Sequence, residues 1–215
     1  MPNPVRELPA GYAVHRRYIL TDRRLLLILN LAALIPLGAA LLLMAVWQVI
    51  VGQLRAAGVA APLALPFDPP WWLSLIGVLV VVLPLHELLH GIVMRHFGHR
   101  VRYGFKPSMG VLYALAENAL FRRNEFLLVL LTPLTVITLA GMLLNLVMPE
   151  SLTYTIALGV IFNAGGAVGD LWMTGVLLHY KKRVIVQDDA QGFTVYDVVD
   201  DGTLTADSPA NTRAA

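Results

Sequence analysis

The chain has 215 residues, enough for one domain with its own core. Hydrophobic residues make up 57% and charged residues 14%, against about 45–50% and about 25% in soluble globular proteins. This balance excludes a disordered chain and a highly charged nucleic-acid binder, and the lack of cysteine excludes disulfides, thiolate metal sites and cysteine nucleophiles. The net charge of +2 hides a split, because residues 1–183 carry 15 basic and 8 acidic side chains while residues 184–215 carry one and six. A membrane protein with a short acidic tail is expected.

Residues 1–24 read as a basic arm, with Arg6, Arg16, Arg17, Arg23 and Arg24. A helix crosses a hydrocarbon core of about 30 Å with about 20 apolar residues, and four stretches qualify. The first, 25–51, has no charged residue, and Pro36 is expected to kink it. It begins too far in and runs too long for a cleavable signal peptide, so it reads as a retained span. The second, 72–94, contains one acid, Glu87. Residues 98–125 are too polar to span. Their period-two alternation from Arg100 to Lys106, the turn residues Pro107 to Gly110 and the run Val111 to Ala114 predict a β-hairpin. The third span, 126–148, is uncharged, and the fourth, 152–180, contains only Asp170. Residues 181–199 predict a second, smaller hairpin, and 200–215 a disordered tail. The basic residues cluster before the first span, between the second and third, and after the fourth, which places both termini and the long middle loop in the cytoplasm. The expected fold is therefore an all-α membrane protein: a four-helix transmembrane domain over 25–180, with a cytoplasmic-side hairpin between helices two and three and a short C-terminal hairpin.

Ionisable groups at membrane depth are costly, so Glu87 and Asp170 mark a functional site. Glu87 lies inside His86-Glu87-Leu88-Leu89-His90. Residues four apart on a helix share a face, so both imidazoles can hold one cation while the glutamate beside them acts as general base. A catalytic zinc takes three protein ligands and keeps one position open, and Asp170 is the candidate third ligand. Glu87 lies about 12 Å along its helix from Arg95, and Asp170 about 16 Å from Lys181, so the two fall at similar depth. The other reading of Asp170 is a helix-packing or proton-relay carboxylate. Asn163, seven residues before Asp170, returns to the same face, where its amide binds a substrate carbonyl or oxyanion, or makes an interhelical hydrogen bond. Gly165, Gly166 and Gly169 on and beside this stripe would let the fourth helix approach the second, with Gly91 offering room on the other side. His15, His96, His99 and His179 read as interfacial or solvated.

His86-Glu87-Leu88-Leu89-His90-Gly91 on one apolar helix, followed by Asn163 and Gly169-Asp170 on a later one, resembles the site-2-type intramembrane metalloproteases. More closely, over about residues 70–197, the chain resembles the bacterial membrane family of putative zincin peptidases, a domain of unknown function. The resemblance implies zinc held by His86, His90 and Asp170, with Glu87 as catalytic base. Unlike the Asn-Pro-x-x-Asp-Gly-like context of site-2 proteases, no proline precedes Asp170 and Leu171 follows it.

The expected function is a zinc-dependent, membrane-embedded peptidase in the cell membrane, cutting peptide bonds near the cytoplasmic face. Its expected partners are membrane lipid and a peptide or membrane-protein substrate, with no nucleic acid. The 100–114 hairpin would hold substrate by strand addition or anchor the protein at the interface. The competing readings are a non-catalytic zinc sensor or scaffold, and a metal transporter using the same residues.

Overall fold

A computed structural model describes residues 4–20, 22–64, 68–106, 111–117, 119–189 and 192–199. The chain begins with strand β1 (Tyr12–Ile19), followed by helices α1 (Arg23–Ala32), α2 (Leu34–Ala56) and α3 (Trp71–His96). Strands β2 (Arg102–Lys106), β3 (Val111–Leu115) and β4 (Leu120–Arg122) lead into α4 (Arg123–Val147). Helices α5 (Glu150–Gly166) and α6 (Val168–Leu178) and strands β5 (Ile185–Asp189) and β6 (Gly192–Val198) complete it. Among the described residues, α1 with α2, α3 and α4 are each long and apolar enough to cross a membrane, and α5 with α6 adds a fourth span if the bent pair is one crossing. Large apolar side chains such as Ile35, Leu42, Val80 and Leu143 stand exposed on these helices. Apolar surface of that extent is rare on soluble monomers and is consistent with a membrane protein.

Both interruptions have local causes. The first span breaks at Ala33, one turn before Pro36 rather than at it. Proline lacks the N–H that would reach the carbonyl of Ala32, and its ring crowds that carbonyl, so the distortion falls upstream. The fourth span is not one straight helix over 152–180: α5 and α6 meet at Ala167 with a bend of 46°. Gly165, Gly166 and Gly169 flank the joint, and such small, weak helix formers localise kinks.

The all-α expectation needs correcting at one end of the bundle. There a four-stranded antiparallel sheet forms in the order β1-β6-β5-β4. The predicted C-terminal hairpin is its centre, and the N-terminal arm and the segment before α4 supply the edges. β1 escaped detection because a bulge between Val14 and Arg16 breaks its two-residue alternation. One face of the sheet carries Val184, Val186, Phe193 and Val195, fully buried against Met94 and Phe97 of α3, Phe126, Val129 and Leu130 of α4, and Leu177 of α6. Buried Arg123 ties the layers together, its Nε donating to the Leu177 carbonyl at 2.8 Å and its backbone N–H to Val184. A cation there also suits the negative end of α6. The predicted 100–114 hairpin is β2 paired with β3, from Arg102 opposite Leu115 to Lys106 opposite Val111. Its turn and the tail beyond 199 lie outside the described residues.

The approach of α3 and α4 to α5 is set by other glycines than those of the predicted stripe. A Cβ on Gly141 would strike Val160, and one on Gly159 would press on Val82, so these two bring α4 and α3 against α5. Gly165 meets Leu37 of α2, whereas Gly166 and Gly169 face open space.

Candidate metal centre

Helical spacing puts His86 and His90 one turn apart on α3, their rings 4.8 Å between centroids. The bend at Ala167 sets Asp170 in the first turn of α6, where a carboxylate also suits the positive helix end. Asp170 Oδ2 lies 3.1 Å from His86 Nε2 and 3.4 Å from His90 Nε2, and the two Nε2 atoms are 3.2 Å apart. Each imidazole is fixed from behind. His86 Nδ1 is 2.8 Å from Asn163 Oδ1, and His90 Nδ1 is 2.8 Å from the Val129 carbonyl. Asn163 Nδ2 donates to the Pro133 carbonyl, which sets the amide with its oxygen toward His86. Both partners of the Nδ1 atoms are acceptors, so each Nδ1 carries the proton and each Nε2 of the neutral ring presents a lone pair.

With both rings neutral, three lone-pair atoms converge with no hydrogen between them, an arrangement that a cation among them relieves. Tetrahedral zinc, with bonds of about 2.0–2.1 Å, holds its ligand atoms about 3.3 Å apart. The observed triangle has those dimensions, and the donor set of two imidazoles and one carboxylate fits zinc chemistry. His86, Glu87 and His90 also form a group able to hold a metal, with one ligand atom from each within 4.8 Å of the others. Glu87 Oε2, however, accepts from the Ala114 backbone N–H of β3 at 2.8 Å, which gives this carboxylate a place beside the triangle.

Of the two readings of Asn163, its contacts are interhelical, with both ends of the amide engaged by protein groups. It is the kind of outer partner that fixes a metal-binding imidazole in one tautomer. Gly91 is needed where α3 passes the hairpin, since a Cβ there would strike the Tyr103 hydroxyl. A cavity of about 190 Å³ opens beside His86 and Glu87, walled by Val82, Leu83, Leu112, Phe162, Asn163 and Gly166. Open space at Gly166 therefore serves the cavity rather than helix contact.

The remaining histidines stay away from this centre. His179 bonds the Gly175 carbonyl at the surface, and His15 packs edge-on against Tyr180. His99 is half-buried against Phe121, 4.4 Å between ring centroids, and burial lowers its pKa. Sequence reasoning missed the Val129 carbonyl and the Ala114 N–H, since backbone groups leave no mark in residue identity.

No curated protein and no solved structure matches the chain. Residues 79–185, about half of its length, match the family described as "Putative zincin peptidase". That segment spans His86, Glu87, His90, Asn163 and Asp170, so the part of the chain that carries the candidate centre matches this family.

Proposed function

We propose that this protein is a zinc-dependent peptidase set in the cell membrane, with both termini in the cytoplasm and its site near the cytoplasmic face. The carrying observation is the 3.1–3.4 Å triangle of His86, His90 and Asp170 with Glu87 beside it. In this reading those three residues hold the ion, and three protein ligands leave one position open. When bound, zinc supplies a Lewis acid that polarises the scissile carbonyl and acidifies water. Glu87 accepts the proton of the attacking water and passes it to the leaving amine. The Ala114 N–H holds one carboxylate oxygen and leaves the other for the proton. Asn163 acts as a positioning residue for His86 rather than as a substrate contact.

The hairpin supplies a means of holding an extended peptide. The Ala114 N–H points away from β2 to reach Glu87, and by the two-residue period Leu112 presents its backbone on the same outer edge. A substrate strand laid along this edge becomes a third strand, its carbonyl carried past Glu87. Exposed Tyr103, Phe105 and Tyr113, with exposed Arg100 and Arg102, suit the same hairpin to the lipid headgroup layer.

Detergent-purified protein is expected to carry about one zinc per chain. Stripping it with a chelator abolishes peptide hydrolysis, and added zinc restores it. Hydrolysis unaffected by complete metal removal would end this reading. Gly166→Leu, which fills the cavity beside His86, is expected to keep zinc but lower kcat/KM at least about tenfold. Equal activity of this variant would show that substrate does not use the cavity.

A further inference from the structure

We infer that this peptidase selects substrates with a large apolar side chain on each side of the bond it cuts, and that Leu112 divides the two subsites. The inference rests on the peptidase reading above. Two cavities meet at Glu87. The one of about 190 Å³ beside His86 lies between α3 and α5. A second, of about 410 Å³, lies between α3 and the hairpin, where Pro84, Leu88 and Tyr103 wall it. Glu87 and Leu112 border both. Helix geometry explains the division. Around α3, Leu83 and His86 lie about 40° and about 100° to one side of Glu87, and Pro84 and Leu88 about 60° and about 100° to the other. Opposite Glu87, strand alternation puts the Leu112 side chain on the same face of β3 as Ala114, whose N–H holds the Glu87 carboxylate.

Successive side chains of an extended peptide point to opposite faces. A substrate strand with its scissile bond at Glu87 therefore aims its two flanking side chains in opposite directions, one toward each cavity. The linings determine what those side chains are. Among the described residues, the smaller cavity is polar only at His86, Glu87 and Asn163, which belong to the metal centre, and the larger is charged only at Glu87. No other lining side chain carries a charge to pair with a charged substrate residue, and burying an unpaired charge is costly. Tyr103 is a fixed wall: its hydroxyl occupies the space a Cβ on Gly91 would need, and the Arg95 guanidinium stands 5.4 Å from its ring centroid. Leu88 is 42% exposed on an apolar helix, so the larger cavity opens sideways, toward the side from which an apolar segment of a membrane protein arrives.

The test incubates detergent-purified, zinc-loaded protein with a synthetic peptide library randomised at its central positions and reads the new termini by mass spectrometry. Wild type is expected to favour Leu, Ile, Met and Phe over Gly, Asp and Lys by at least about tenfold in kcat/KM at both residues flanking the cut. Gly166→Leu, which fills the smaller cavity, should shift one flank toward glycine and alanine. Leu88→Trp, which narrows the larger, should shift the other flank in the same way. Leu112→Ala, which enlarges both, should raise acceptance of tryptophan at both flanks. The wild-type profile decides by itself: equal cutting beside Asp, Lys or Gly would overturn the inference. So would Gly166→Leu and Leu88→Trp that move the same flank or neither. Wild type that cuts no peptide in a zinc-dependent way would instead defeat the underlying peptidase reading.

Discussion

His86→Ala and Asp170→Ala are each expected to weaken zinc binding by at least on the order of a hundredfold, enough to leave purified protein nearly metal-free. Either change removes one corner of a triangle whose edges are 3.1, 3.2 and 3.4 Å. The remaining pair then has two vacancies to fill with water. Asn163→Ala tests the support behind the corner. It leaves the His86 Nδ1–H without its 2.8 Å acceptor and frees the ring to turn, so an intermediate loss, about tenfold to a hundredfold, is expected. Metal analysis of the variants, purified side by side, separates the roles. Asp170→Ala with wild-type zinc would remove Asp170 from the ligand set and leave it as a packing carboxylate.

Glu87→Gln is expected to retain zinc and to lose peptide hydrolysis by about 10²–10⁴-fold in kcat, the usual range for removing a general base. The amide is a clean replacement here. Its Oε1 can still accept from the Ala114 N–H at the place now taken by the carboxylate, so the hairpin stays docked while the proton acceptor is lost. Comparing new N-termini in membranes that contain wild type or Glu87→Gln would identify substrates in the same experiment. Turnover of those substrates at the wild-type rate by Glu87→Gln would exclude the base role and favour a non-catalytic zinc protein.

Much of this molecule follows from local pattern. Hydropathy marks the apolar helices because the preference of a long apolar run for a non-aqueous setting needs no knowledge of its neighbours. The His-Glu-x-x-His spacing places two imidazoles on one face because helix geometry is set by the backbone alone. The isolation of Asp170 in an apolar run singles it out for the same energetic reason that makes it costly. The β2–β3 hairpin shows through its alternation and turn residues.

Other features depend on contacts between distant parts of the chain. β1 became a strand only because β6 offered an edge, and its bulge hid the alternation. Asn163 had two readings until His86 and the Pro133 carbonyl occupied its two ends. The glycines nearest Asp170 looked like a packing stripe toward α3, but Gly159 makes that approach, while Gly165 meets α2 and Gly166 borders a cavity. The partners of Glu87 and His90 are backbone groups of Ala114 and Val129, whose identities carry no signal. Sequence alone thus determined which side chains can do chemistry, since that is a matter of residue type and local spacing. Tertiary structure decided how they are aimed, because orientation is fixed by hydrogen bonds and packing between segments far apart in the chain.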